Sequence, residues 1–278
     1  MVENLRSYVA VCAAYNEEKY IAHSLKSVLN QTMSPEKIIL VDDGSTDDTR
    51  RIAEKLGVMV LSDKRPRYKL RGINQVLALN RGIARASNLF AGWDYFLKFD
   101  ADTVIPKNYM EYIIRKMEKY PTLGICAGKP ENENIRLSRA SDAAKIYRRK
   151  CCDDIRGLDI LISFDSHAIL KAAQRGWVNR TLKGITFREL RPVGRYDLNR
   201  WILTGFERAS FGLPLYHTVL AAIKNIKSGY PPIINSVATI CAHIVNPWDK
   251  APNLDQKWVR KYAVDEIRFF IKEISSRF

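Results

Sequence analysis

The 278-residue chain is predicted to be an α/β protein, with a mostly parallel sheet flanked by helices and a helical C-terminal extension. Three observations carry that expectation. Strand-like and helix-like patterns alternate through the first 130 residues, as they do when helices cover both faces of a parallel sheet. Beyond that point the alternation breaks and the chain turns polar and basic. Apolar residues at 46% and charged residues at 27% allow a large core without disulfide staples.

The elements follow in order. Tyr8 to Ala13 is a short apolar run and reads as the first strand. Residues 17 to 30 place Ile21, Leu25, Val28 and Leu29 along one helical stripe. Ile38 to Val41 is a second buried strand. After it, Ser45-Thr46-Asp47-Asp48 forms a capping-box type of helix start, and Gly57 is a C-cap. Val58 to Leu61 makes a third strand and Lys64 to Arg71 a basic loop. The next helix sets Ile73, Val76, Leu77, Asn80 and Ile83 on one side. Tyr95 to Phe99 is a fourth strand, and Pro106 suits the first position of the helix after it. Residues 131–157 are polar and basic, and 158–215 carry scattered Gly, Arg and Asp. Phe211 to Ile226 is apolar, and residues 258–274 form an amphipathic helix with Val264, Ile267, Ile271 and Ile274 on one face.

Composition narrows the function. Cys12, Cys126, Cys151, Cys152 and Cys241 are odd in number and lack metal-ligand spacing, which fits a reducing, cytoplasmic compartment. Glu3 and Arg6 bracket too short an apolar stretch for a secretory signal, and no run of about 18 uncharged apolar residues predicts a membrane span. The net charge of +15 is uneven: residues 1–100 hold 15 Lys and Arg against 12 Asp and Glu, the remainder 30 against 18. Such a field favours an anionic partner. Nucleic acid is not the expected one, because no fingerprint of that kind occurs and basic and aromatic residues do not interleave.

Two acidic clusters close predicted strands: Asp42-Asp43 and Asp100-Ala101-Asp102. In open parallel sheets ligands bind beyond the carboxyl ends of the strands. A carboxylate there accepts from a base or ribose, or holds a hard divalent cation that also bridges diphosphate oxygens.

The run Ala13-Ala14-Tyr15-Asn16-Glu17-Glu18, then Ser27 to Thr32, then Ile39 to Asp47, resembles the opening of family 2 glycosyltransferases, whose fold is called GT-A. Asn80-Arg81-Gly82-Ile83 and Asp100-Ala101-Asp102 continue the match in order and spacing. The resemblance covers residues 8–130. It implies an inverting, metal-dependent hexosyltransferase that uses a UDP- or GDP-linked nucleotide sugar with Mn²⁺ or Mg²⁺. Tyr15 and Asp43 would contact the nucleobase, Asp43 accepting a base N–H, with Ala13 and Asp42 also in the nucleotide-binding set. Asp100 would lie near the ribose, Ala101 would belong to the same nucleotide-binding set, Asp102 would ligate the metal, and Arg71 or Lys69 would approach the phosphates. Without the resemblance, Tyr15 is a packing aromatic and Asp43 a turn-forming residue.

The same resemblance divides the chain into a nucleotide-sugar-binding half at 1–130, an acceptor-binding half at 131–210 and a basic helical extension at 211–278. It implies a carboxylate general base that takes the acceptor proton. Phe164-Asp165 followed by Ala168 to Gly176-Trp177 is similar to the region holding that base, so Asp165 is the first choice and Asp159 the second, with Asp197 behind them. Phe164 departs from the commoner Glu-Asp pair, and a helix N-cap is the plain alternative for Asp165. Thr186 to Gly194, Gly205 and Phe211 to Leu215 resemble a subset of these enzymes; Arg191 there either holds an anion or makes a structural ion pair. His167 is placed to orient Asp165, or is simply packed, and His23 reads as surface.

The acceptor is expected to be a glycan or a lipid-linked hydroxyl, and an anionic membrane surface is a further expected partner. Leu213, Leu215, Val219, Leu220 and Ile223 either face that surface or complete a core or oligomer interface. Competing functions are a polyprenyl-phosphate sugar synthase and a catalytically silent nucleotide-sugar binder. A nucleotidyltransferase would carry a Gly-rich loop where Ala13-Ala14-Tyr15-Asn16 stands.

Overall fold

The computed structural model describes residues 6–62, 65–69, 71–131, 139–191, 198–225 and 232–275. The chain forms two compact units, Met1–Pro192 and Val193–Phe278. In the first, β1 (Tyr8–Ala14), α1 (Ile21–Leu29), β2 (Lys37–Asp42), α2 (Thr49–Lys55), β3 (Met59–Ser62), α3 (Arg71–Leu89) and β4 (Tyr95–Phe99) alternate in order. Then come β5 (Thr103–Val104), α4 (Tyr109–Lys119), β6 (Leu123–Pro130), β7 (Ala144–Arg148), α5 (Arg149–Asp154), α6 (Phe164–Gln174) and β8 (Val178–Glu189). The second unit holds α7 (Leu198–Ser210), α8 (Leu215–Asn225), α9 (Pro232–Val245) and α10 (Gln256–Ser275).

The sheet order is β3-β2-β1-β4-β7-β6-β8-β5. Strands β3, β2, β1 and β4 run parallel, and so do β6 and β8. β7 runs against both its neighbours, and β5 against β8. β1 is central and buried on both faces, which is why it reads as an unbroken apolar run. Alternate β1 residues feed two cores: Tyr8, Ala10 and Cys12 join Ile21, Leu25 and Ile113, while Val9 and Val11 join Val76, Leu79 and Ala168.

Several local expectations are corrected. α1 starts at Ile21 rather than residue 17, because Asn16 takes a positive φ of 54° and the chain around it is tied to the loop after β2. α2 starts at Thr49 with Asp48 at its N-cap position but without a capping side chain; Asp47 instead accepts from the Thr49 backbone N–H and hydroxyl. Pro106 lies outside α4, whose N-cap position is Asn108. The polar stretch 131–157 contains strand β7 and helix α5, and 158–215 contains the long strand β8.

The buried face of α3 also differs. Val76, Ala78, Leu79 and Ala86 are buried, whereas Ile73, Leu77, Asn80 and Ile83 are only half-buried. Gly82 explains the turn of the helix: a Cβ there would stand 2.3 Å from Val11 Cγ1 and 3.0 Å from Val41 Cγ2. The missing side chain lets α3 lie close on β1 and β2. Gly82→Ala is expected to overpack this seam and lower stability by about 1–3 kcal/mol, read from the denaturant midpoint at unchanged slope.

Candidate active site

The parallel strands β1, β2 and β4 end at one edge of the sheet, which brings Tyr15, Asp43 and Asp100 to the same rim. The loops there interlock. Asn16 Oδ1 accepts from the Thr46 N–H (2.8 Å), and the Asn16 N–H donates to Ser45 Oγ (3.0 Å). The Glu17 N–H donates to Thr49 Oγ1 (2.7 Å), and the Glu18 N–H to Asp47 Oδ2 (3.0 Å). The two leading motifs are therefore one structural unit, each supplying the other's hydrogen-bond partners.

Asp42 and Asp43 divide their work. Asp42 Oδ1 accepts from the Ser45 N–H (3.1 Å) and forms the turn. Asp43 carries the charge pairing: Oδ1 receives Arg65 Nη2 at 2.9 Å, and Oδ2 receives Arg67 Nη1. The Arg67 guanidinium also lies 3.5 Å above the Tyr15 ring centroid, a cation–π arrangement on a ring that is 40% exposed. Buried Asn74 on α3 holds this loop, accepting from Arg65 Nη1 (3.0 Å) and the Tyr68 N–H (2.9 Å) and donating to the Tyr68 carbonyl (2.8 Å). Tyr15, Asp43 and Arg67 thus make one exposed-to-buried cluster able to meet a planar, hydrogen-bonding ligand. Ala13 is half-buried at the end of β1, paired in register with Val41, and Ala101 is buried.

Beneath the rim lies a buried charge network. Lys98 on β4 and Lys145 on β7 stand directly opposite each other in the antiparallel register, and both are buried. Like charges so placed repel unless carboxylates intervene. Lys98 Nζ lies 2.9 Å from Asp100 Oδ1 and 3.8 Å from Asp165 Oδ2, and it donates to the Asp142 carbonyl. Lys145 Nζ lies 2.7 Å from Asp142 Oδ1 and 3.2 Å from Asp165 Oδ1, with the Tyr147 hydroxyl donating to that oxygen at 3.4 Å. Burial works to lower the Lys98 ammonium, but Asp100, Asp165 and Asp142 outweigh it and raise its pKa, so it stays charged. The Asp100 carboxyl is pushed upward by desolvation, with Lys98 opposing and Asp165 and Asp102 adding to the rise. Gln75 on α3 donates to Asp100 Oδ1 at 3.1 Å.

Asp102 makes its ion pair on the other side, with Arg191. Its Oδ2 lies 3.3 Å from Arg191 Nε, and Arg191 also pairs with Glu17 and lies over the Tyr20 ring. Arg191 is therefore an ion-pairing residue of the rim. The Asp102 backbone carbonyl accepts from the Leu190 N–H (2.8 Å), fixing β5 beside the end of β8. Among the described residues no group of three or more His, Cys, Asp or Glu gathers as a metal cage. A partly exposed carboxylate such as Asp102 fits a hard cation that takes its remaining oxygens from phosphate and water, and it suits Mg²⁺ or Mn²⁺ rather than a soft metal.

The structure brings Asp100 and Asp165 together on Lys98, whereas Asp159 belongs to a different cluster. Asp159 Oδ2 pairs with buried Lys171 and lies 3.1 Å from His167 Nδ1, which puts His167 beside Asp159. Asp159 stands in a loop pinned to α3. Asn80 Nδ2 donates to the Leu158 carbonyl (2.9 Å), and a Cβ on Gly72 would meet the Ile162 carbonyl at 2.2 Å. Asp165 lies in the first turn of α6, where Ser163 occupies the N-cap position, so it is not itself the cap. Lys69 is exposed, the Arg71 side chain and Asp197 fall outside the described residues, and His23 is exposed.

Sequence reading missed Lys98, Lys145, Arg65, Arg67 and Gln75. A lysine inside Tyr95-Phe-Leu-Lys-Phe, otherwise wholly apolar, was the available signal for a buried and therefore paired charge.

The profile described as "Glycosyl transferase family 2" matches residues 9–169. An uncharacterised glycosyltransferase of Haemophilus influenzae is 34% identical over 123 residues, 42% of this chain and 35% of that protein. The poly-beta-1,6-N-acetyl-D-glucosamine synthase of Staphylococcus epidermidis is 33% identical over 125 residues, 44% of this chain and 28% of that protein. The chain thus spans about a third of the length of these relatives. Among solved structures, the mannosyltransferase PcManGT of Pyrobaculum calidifontis, in complex with GDP-Man and Mn²⁺, superposes with a TM-score of 0.58 at 21% identity, covering 88% of this chain and 72% of that one. S. aureus TarS 1-349 in complex with UDP-GlcNAc gives 0.55 at 18% identity, covering 72% and 64%. These likenesses establish a GT-A fold.

Proposed function

The chain belongs to glycosyl transferase family 2, and from that premise we propose that it moves a sugar from a nucleotide diphosphate donor to an acceptor hydroxyl with inversion. The observation that carries this reading is the Lys98 bridge, which joins the donor-side carboxylate Asp100 to Asp165 at the rim where Asp43 and Asp102 also end.

Tyr15 and Asp43 receive the nucleobase, the ring stacking and the carboxylate accepting a base N–H. Arg67 now occupies both groups, so the base competes with its guanidinium. Asp100 accepts from the ribose and Asp102 holds Mn²⁺ or Mg²⁺, which when bound would offset charge growing on the leaving diphosphate. Asp165 takes the proton of the acceptor hydroxyl as its oxygen bonds to the anomeric carbon and the bond to the diphosphate oxygen breaks. Lys98, Lys145 and Tyr147 keep that carboxylate in place between both substrates. The acceptor is a glycan or lipid-linked hydroxyl, and the five free cysteines fit work on the cytoplasmic side.

Thermal melting against uridine and guanosine diphosphate sugars, with and without Mn²⁺, tests the reading. One base class is expected to stabilise the protein in a metal-dependent way, by about 2.7 kcal/mol at a hundredfold excess over Kd. Asp102→Ala is expected to remove the metal-dependent part. A melting temperature indifferent to every donor, with metal present, defeats the proposal.

A further inference from the structure

Two helices of the second unit, α8 and α9, are built inside out. On α9 the buried side chains are Asn235, Ser236 and Thr239, with Ala242, whereas Ile233 is 67% exposed and Val245 68%. On α8 the buried residues are His217, Thr218 and Ala222, whereas Leu220 and Ile223 are exposed. A helix facing water shows the reverse arrangement, apolar inward and polar outward.

The inward polar groups hold the helices together. Ser236 Oγ on α9 donates to the Ala222 carbonyl on α8 (3.0 Å), and Thr239 Oγ1 donates to the Trp201 carbonyl on α7 (3.1 Å). Thr218 Oγ1 and His243 Nδ1 lie 2.9 Å apart, joining α8 to α9, and His217 Nε2 lies 2.8 Å from Glu266 Oε2 on α10. Gly205 lets α7 and α9 approach closely: a Cβ there would come 2.4 Å from the Thr239 carbonyl oxygen and 2.6 Å from Ala242 Cβ. Small residues and hydrogen-bonding side chains at the helix contacts, with aliphatic side chains outward, are how helices pack when their surroundings are hydrocarbon.

We propose that the outward face of α8 and α9 is a lipid-facing surface, carrying Leu220, Ile223, Ile233, Ile234, Val237 and Ile244, that seats this unit in the interface of an anionic membrane. The fourteen residues of α9 extend about 21 Å, short of the roughly 30 Å hydrocarbon core. Among the described residues no helix is long and apolar enough to cross a membrane. The helices therefore lie in the interface plane. Charge selects the kind of membrane. Residues 193–278 hold 12 Lys and Arg against 7 Asp and Glu. Lys250, Arg260 and Lys261 line a groove of about 810 Å³ together with apolar Leu213, Leu215 and Val264. Leu215 belongs to both the groove and the exposed start of α8, so the cations border the apolar face. This is the chemistry of an anionic headgroup with its acyl chains alongside. The inference stands apart from the transfer reaction, and its test reads lipid binding rather than turnover.

Cys241 on α9 is exposed, whereas Cys12, Cys126 and Cys151 are buried and Cys152 is half-buried, so a bimane label on the full chain reports from the proposed face. With vesicles of phosphatidylcholine and phosphatidylglycerol the label is expected to shift to the blue and to be quenched by nitroxides on the acyl chains. The protein is expected to float with these vesicles, and less so with phosphatidylcholine alone or at high salt. Val237→Glu and Ile244→Glu are each expected to weaken vesicle binding about tenfold or more while leaving the melting temperature in water unchanged. Absence of flotation at low salt, or quenching by water-soluble quenchers alone, overturns the proposal. So does a concentration-dependent dimer that the two glutamates dissolve without any vesicle binding, which would assign the face to a second copy of the chain.

Discussion

Asp165→Asn is expected to reduce turnover by a factor of about 10²–10⁴, the usual contribution of a positioned general base, while donor affinity stays within about twofold. The substitution keeps the side chain's volume and its hydrogen bond from Tyr147 but removes the proton acceptor and the charge facing buried Lys98 and Lys145, so the melting temperature is measured beside the activity. Single-turnover transfer, measured beside donor titration by calorimetry, separates the two quantities. Near-normal transfer in this variant would take Asp165 out of the role. Because Asp159 pairs with Lys171 and His167, Asp159→Asn is the matching control for a carboxylate whose loss acts through the fold. Activity lost in that variant together with melting temperature would mark a structural effect, and activity lost at full stability would move the role to Asp159.

Lys98→Met is expected to destabilise the first unit by about 3–5 kcal/mol. Methionine fills the space of the aliphatic stem, so the change isolates the ammonium. Without it Asp100 loses its nearest cation, Asp165 keeps Lys145 and the Tyr147 hydroxyl, and the Asp142 carbonyl loses a donor. Urea unfolding of the variant measures the loss directly. A cost below about 1 kcal/mol would mean that water replaces the ammonium freely and that the network is no more than a surface ion pair.

The strands and leading motifs of the first hundred residues were legible because their patterns are local. Apolar runs mark β1, β2 and β4, and Asn16 binds the Ser45-Thr46 turn that follows β2. The rest depends on partners distant in the chain. β7 reads as polar because Lys145 interrupts it, and only the fold brings Asp142 and Asp165 to that lysine. The basic loop was visible, but not that Arg65 and Arg67 turn back onto Asp43. α9 was passed over because its buried side chains are the polar ones, so a rule that sends polar residues outward assigns its faces the wrong way round. In α10 the buried positions are Val259 and Ala263, whereas Val264 lines the groove and the side chains of Ile271 and Ile274 lie outside the described residues.

The reversed direction of β7 sets which stretches of chain can vary independently. Asp43 and Asp102 are supported by loops and strands on either side of β1, while Asp165 is carried on a helix that follows β7. The two halves share carboxylates at one rung of the β4–β7 ladder, Lys98 opposite Lys145, and meet again where Arg191 pairs with Glu17 and Asp102. Exchange of the segment beyond β7 is therefore expected to leave the Tyr15, Asp43 and Arg67 cluster on its own scaffold, provided that the lysine rung and the Arg191 pairs are kept.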